Sequence, residues 1–255
     1  YSAVKEVAPI IPREFRAAWV ACVYNIDWPS RKGMGAGAQQ AEMKAMLDRM
    51  ASMKMNAIIF QVRPNADAVY QSRLEPWSHW ISGTQGISPG YDPLAYCIQQ
   101  AHARGIEVHA WFNPFRALPN SKIPTARNHV VKTHPSVIRD FKNYKWMDPS
   151  NAFTQQRALS VILDVVNRYD VDGIHIDDYF YPYPDVDSQG RAKPIFPDGK
   201  TPAARRAATD GFVKAMYSKV KAKKPWVRVG ISPFGIWRPG VPAGTTATID
   251  AYQHL

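Results

Sequence analysis

Short apolar runs alternate along this chain with segments of helical period, and this alternation restricts its fold more than any single motif does. Five runs read as strands: Ala17 to Val23, Ala57 to Val62, Ile106 to Phe112, Gly173 to Asp177 and Val227 to Ile231. Four helices lie between them. The first, about Gln39 to Lys54, repeats Met43, Met46, Leu47, Met50 and Met53 on one face, a spacing that fits core packing. The second opens with Asp92-Pro93, carries Leu94, Cys97, Ile98 and Ala101 inward and stops at Gly105. A third runs near Phe153 to Tyr169 through Leu159, Ile162, Leu163 and Val166, and a fourth follows Thr201-Pro202 with Ala208, Phe212, Met216 and Val220 spaced by four.

The strand runs share one phase. Ile58, Phe60, Val62, Val108, Ala110, Phe112, Ile174, Ile176, Val227, Val229 and Ile231 fall on one face, which should pack against helices. Gln61, Arg63, His109, Trp111, Asn113, His175, Asp177, Arg228, Gly230 and Ser232 fall on the other, which becomes polar towards each strand's end. Helix-to-strand connections are about one to three residues, whereas strand-to-helix connections run from roughly 15 to 40, far above the usual few. In a (β/α) barrel the loops after the strands build the active site. The expected fold is therefore an α/β (β/α)8 TIM barrel in one domain over residues 1–255. It is expected to be incomplete, because only a fifth strand follows the four strand–helix units; an open five-stranded sheet is the alternative.

Composition sets outer bounds. A chain of 255 residues with 45% hydrophobic content can bury one large core. No run approaches the roughly 18 apolar residues of a spanning helix, and Tyr1 to Pro12 has no basic-then-apolar signal pattern, so the chain reads as soluble. The net charge of +11 favours an anionic partner, although the basic residues are scattered and the KVKAKK run, Lys219 to Lys224, reads as a solvated helix end. Cys22 and Cys97 sit in apolar contexts, as buried free thiols do.

Six blocks, QVRPNADAVY, LEPWSHWISGTQG, PGYDPL, HAWFNPFR, DGIHIDDYFYP and VGISPFGIW, occur in that order and at separations that resemble the glycosyl-hydrolase-like family 10 of bacterial barrels over nearly the whole chain. The resemblance implies a glycoside hydrolase acting on peptidoglycan glycan strands from which the stem peptides have been removed. It implies a periplasmic or cell-envelope setting with a link to cell division; separately, no cofactor or metal is expected. It also implies a barrel that continues past Leu255, in agreement with the strand count.

Glycosidic hydrolysis usually needs two carboxyl groups, one as proton donor and one as nucleophile or base. Asp177 shares the polar phase and should enter the barrel mouth, and the run GIHID resembles the fourth-strand block of amylase-type barrels, in which the Asp is the nucleophile. Asp178, the adjacent residue, should project differently, so the second carboxylate is sought in Asp178, in Glu75 beside Trp77, or in the further strands. Trp77, Trp80, Trp111, Tyr179, Tyr181 and Tyr183 can offer platforms to sugar rings, while Arg63, His109, Asn113, His175 and Arg238 can hold hydroxyls or carboxylates. Arg63, at a strand end and followed by proline, suits a substrate carboxylate. Plainer readings exist: Trp111 as barrel filler, His109 and His175 as core histidines, Tyr183 as a loop-ordering residue. Two other functions compete. A metal-dependent hydrolase could draw on His109, His175, Asp177 and Asp178, although tight ligand motifs are absent. A binding-only carbohydrate or nucleic-acid module would fit the aromatic content and basicity, but no RNA-binding or helix-turn-helix motif is present, and no nucleic-acid partner is expected.

Overall fold

The computed structural model describes residues 14–183, 185–186, 192–193 and 196–233. In chain order its elements are β1 (Ala17–Val20), α1 (Ala36–Ser52), β2 (Ala57–Arg63), α2 (His79–Ser82), α3 (Pro93–His102), β3 (Glu107–Phe112), β4 (Arg116–Leu118), α4 (Val130–Thr133), β5 (Ile138–Phe141), β6 (Tyr144–Met147), α5 (Ala152–Arg168), β7 (Gly173–Ile176), β8 (Asp185–Val186), β9 (Ala192–Lys193), α6 (Pro202–Lys223) and β10 (Arg228–Ile231). The five expected strands form one sheet in the order β1-β2-β3-β7-β10, every neighbouring pair parallel. Each new strand joins the same growing edge, as in a barrel. The barrel is not closed: β1 and β10 end the sheet without pairing to each other among the described residues.

The helices start where their sequences provide caps. Asp92 accepts a hydrogen bond from the Ala95 N–H, Asn151 from the Phe153 and Thr154 N–H groups and Thr201 from the Ala204 N–H, which satisfies donors that a helix leaves unpaired. The inward stripes are as expected for Met43, Leu47 and Met50, for Leu94, Cys97, Ile98 and Ala101, and for Phe212, Met216 and Val220. They meet Ile58, Phe60, Val62, Val108, Ala110, Ile174 and Ile176 in one apolar core. Met53 departs from its expected place: α1 ends at Ser52, and Met53 caps it in solvent. In the KVKAKK run, Lys221 donates to the Pro225 and Val227 carbonyls and Lys224 to the Tyr169 carbonyl, so this basic helix end also ties the chain down before β10. Cys22 and Cys97 are free and buried.

The long loops carry structure that strand and helix periods did not reveal. The β3–α5 connection folds into a separate antiparallel sheet, β4-β6-β5, and the β7–α6 connection contains the β8–β9 hairpin. The first strand stops at Val20 rather than Val23, and the chain then turns through Tyr24 and Asn25, both at positive φ.

Two glycines set the spacing of the inward face. Gly173 pairs with His109 across β3 and β7, and a Cβ on Gly173 would lie 2.3 Å from His109 Nδ1. Gly230 stands in the same relation to His175, whose Nδ1 would be 3.1 Å away. Each histidine thus occupies the space that the next strand leaves by having no side chain. Gly173→Ala is expected to destabilise the fold by about 1–3 kcal/mol through this overpacking, with Gly230→Ala milder, as thermal denaturation followed by circular dichroism would measure.

Candidate active site

The polar face comes together at the C-terminal ends of β2, β3 and β7. Asp177, one residue beyond β7, is buried, and its Oδ2 accepts from Trp111 Nε1 (3.1 Å) and from Asn113 Nδ2 (2.5 Å). Its Oδ1 accepts from the Tyr179 N–H (3.1 Å), a local turn that ends the strand and directs Asp178 elsewhere. Asn113 is itself oriented, because its Oδ1 accepts from Gln61 Nε2 and from Arg116 Nη2, each at 2.6 Å. Gln61 is fixed in turn by the Cys22 and Val23 N–H groups, both 3.0 Å from its Oε1. A buried chain of hydrogen bonds therefore runs from the end of β1 through Gln61 and Asn113 to the carboxylate.

Electrostatics at Asp177 oppose one another. Burial dominates and leaves the pKa above the ordinary carboxylate value, although Arg116, the Tyr179 N–H and Asn113 pull it down; Asp178 adds to the rise. All three hydrogen-bonding partners are donors, an arrangement that suits the ionised carboxylate and hence a nucleophile or base. The guanidinium of Arg116 lies 5.4 Å from the Tyr179 ring centre, so a cation and an aromatic face stand together beside the carboxylate. Gln61 and Arg116 are the members of this site that sequence reasoning missed as candidates. Gln61 had the correct phase, and Arg116 closes the HAWFNPFR block.

Other expected residues lie elsewhere. Arg63 and Glu75 form a buried bidentate pair, with Nη2–Oε1 at 2.6 Å and Nε–Oε2 at 2.7 Å. Arg63 Nη1 donates to the Asn113 and Pro114 carbonyls, and Arg157 approaches Glu75 from the other side. The register shifts between Gln61 and Arg63, and this irregularity, by opposing Arg63 to Phe112, takes the arginine out of the expected phase. Arg63 is thus turned from the substrate role expected of it, and Glu75 from that of second catalytic carboxylate: both hold the loops under the mouth. Tyr181 is a core residue, 1% exposed, with its ring against Phe196. Trp111 both packs with Ala21, Ile59 and Trp80 and donates to Asp177. Trp77 is half-buried in the loop after β2. Asp178 accepts from the Tyr183 hydroxyl, which gives Tyr183 a partner beyond loop packing. Arg238 lies outside the described residues.

His109 and His175 lie on the inward face but below the mouth. His109 pairs with Glu107 at 3.2 Å, and His175 meets Trp19 edge to face at 4.6 Å. Among the described residues no three His, Cys, Asp or Glu side chains gather as metal ligands, so the constellation considered for a metal-dependent hydrolase does not assemble there. Burial, and then the nearby His109, lowers the pKa of His175 from 6.5 to about 4. The unfolded chain therefore takes up the proton first, and stability is complete above pH 6.5 and is lost as pH falls towards 4. The expected loss is about 3 kcal/mol, and denaturant melts of the protein and of His175→Gln should converge in relative stability across that window.

A barrel-type parallel sheet with a buried, donor-held carboxylate at its C-terminal face is the framework of a glycoside-hydrolase-like protein. The chain belongs to the glycosyl hydrolase-like 10 family, whose model matches residues 14–254. It is 40% identical over 263 residues to glycosyl hydrolase YngK of Bacillus subtilis (strain 168), covering 95% of this chain and 50% of the relative. It is 34% identical over 244 residues to glycosyl hydrolase DigH of Escherichia coli (strain K12), covering 88% of this chain and 56% of the relative. The chain thus spans about half the length of the curated relatives it matches. Among solved structures, alpha-L-fucosidase isoenzyme 2 from Paenibacillus thiaminolyticus superposes with a TM-score of 0.55 at 14% identity, covering 89% of this chain and 34% of that one, a likeness of fold. No helix among the described residues is long and apolar enough to cross a membrane.

Proposed function

We infer that this chain carries the catalytic face of a glycoside hydrolase that cleaves O-glycosyl bonds in a bacterial cell-wall glycan, with peptide-stripped peptidoglycan as its substrate. The observation that carries this reading is Asp177, buried at a strand's C-terminal end and held by Trp111, Asn113 and the Tyr179 N–H. In the ionised form that these donors favour, it serves as nucleophile or as base for water. The proton donor is assigned to a carboxyl group other than Glu75, whose oxygens Arg63 occupies; Asp178 is the nearest in sequence, and the relatives' additional length offers others.

Removing the stem peptides exposes a lactyl carboxylate on each muramic residue, and both the +11 charge and Arg116 beside the site suit such a polyanion. On this reading the protein works in the cell envelope. The test is to incubate the full-length protein with denuded and with peptide-bearing peptidoglycan and to analyse the products by mass spectrometry. Shortened glycan chains from the denuded substrate alone support the reading, and failure to cleave either substrate overturns it.

A further inference from the structure

A concavity lies on the same face as Asp177, among the loops that follow β1, β2 and β3. It has a volume of about 220 Å3, and Lys32, His79, Thr84, Gln85, Ile123 and Thr125 line it. Pockets that enclose whole drug-sized ligands measure about 300–1,000 Å3, so this one is sized for a single ring with its substituents.

Its walls are fixed by bonds between the loops. Gly33 and Gly83 both have positive φ and meet backbone to backbone: the Gly33 N–H donates to the Ile81 carbonyl at 3.1 Å, and a Cβ on Gly83 would lie 3.4 Å from Gly33 Cα. Gln85 ties the second loop to the third, its Nε2 donating to Asp67 Oδ2 (2.9 Å) and its Oε1 accepting from the Ala126 N–H (3.0 Å). Asp67 is fully buried, and burial pushes its pKa up to about 7 although Gln85 and Ser78 hydrogen-bond to it. Such interlocking pre-forms a cavity and lowers the ordering cost of binding.

The lining is mostly apolar, with a few polar groups set in it and little net charge. The His79 ring packs on Trp80 at 3.9 Å between ring centres, is 7% exposed, and has an Nδ1 without a hydrogen-bond partner among the described residues. Burial, followed by the Lys32 charge, lowers its pKa to about 4, so at neutral pH it is uncharged; because Nδ1 is itself out of solvent's reach, a ligand can meet the ring only through its other nitrogen. Thr84 and Thr125 add hydroxyls, and exposed Lys32 brings an ammonium group to the rim. Ile123 links this pocket to the catalytic face, because it packs against the cluster containing Trp80 and Trp111, and Trp111 donates to Asp177.

We propose that this pocket is an outlying glycan subsite that takes a sugar ring bearing a single carboxylate, with His79 and the two threonines at ring hydroxyls and Lys32 at the charge. One ammonium beside a neutral imidazole balances one negative charge, whereas a phosphate dianion calls for a cluster of cations. The assignment rests on the glycan-hydrolase reading above and adds to it a binding position away from the scissile bond. Binding energy realised there strengthens the hold on long chains and leaves the chemical step unchanged.

Two variants of the full-length protein test it. Thr125→Trp fills the cavity, and Lys32→Gln removes the rim charge without touching the core. With long denuded glycan chains, Thr125→Trp should raise KM about tenfold with kcat nearly constant, while a muramic-containing disaccharide fragment should compete equally well against both proteins. Lys32→Gln should raise KM several-fold for the muramic glycan and leave chitin oligosaccharide binding unchanged, and it decides the matter alone should Thr125→Trp fail to fold. Unchanged KM in an active Lys32→Gln protein overturns the subsite and leaves the glycosidase reading intact. If the parent protein neither binds nor cleaves any glycan, both fall.

Discussion

Asp177→Asn in the full-length protein should reduce glycan cleavage by about 1,000-fold or more while the folded state survives. An amide can still accept from Trp111 Nε1 and Asn113 Nδ2 through its oxygen, but its own NH2 then faces the Tyr179 N–H, a mismatch costing about 1–2 kcal/mol. That is small beside the loss of the only negative charge this cradle of donors can hold. Product release from denuded peptidoglycan, followed by mass spectrometry alongside a thermal melt, separates the two effects. A variant that retains most of the parent rate would move the chemistry to Asp178.

Glu75→Gln should produce the largest loss of stability, about 3–5 kcal/mol, because it strands Arg63 as a buried charge with its carboxylate partner gone. Burial acts to raise the pKa of Glu75, but the charge and hydrogen bonds of Arg63, with help from Arg157, outweigh it and hold the net pKa below the ordinary value. Stability from this pair is therefore present above the unfolded-state pKa and lost as pH falls through the lower folded-state value. Replacing both partners, as in Arg63→Met with Glu75→Leu, should cost much less than either single change, since no unpaired charge remains. Denaturant titration of the three variants measures this. Were Glu75 instead a catalytic acid, Glu75→Gln would lose activity at unchanged stability.

The strand phase was the most legible feature of the sequence. Because side chains alternate strictly along a strand, placing Ile174 and Ile176 against the helices forces His175 and Asp177 to the other face, and the hydrogen bonds to Asp177 lie there. The same logic failed at Arg63, where a register shift breaks the alternation and local spacing gives no sign of it. Glu75 looked catalytic for a related reason: its partner lies twelve positions earlier in another element, and only the fold brings the two together. Tyr181 sits in an aromatic-rich loop that reads as a sugar platform, yet its ring fills the core against Phe196. The histidines could have been read more fully, since each faces a glycine on the next strand and that complementarity marks packing on the barrel floor. The antiparallel sheet within the β3–α5 loop was hidden because its strands are short and set among turns.

A crystal structure of the full-length Asp177→Asn protein soaked with denuded glycan oligosaccharide should place one glycosidic oxygen over residue 177, with the adjoining rings bounded by Trp111, Asn113, Arg116 and Tyr179. Glycan bound on another surface, with this mouth empty at saturating concentration, would contradict the account.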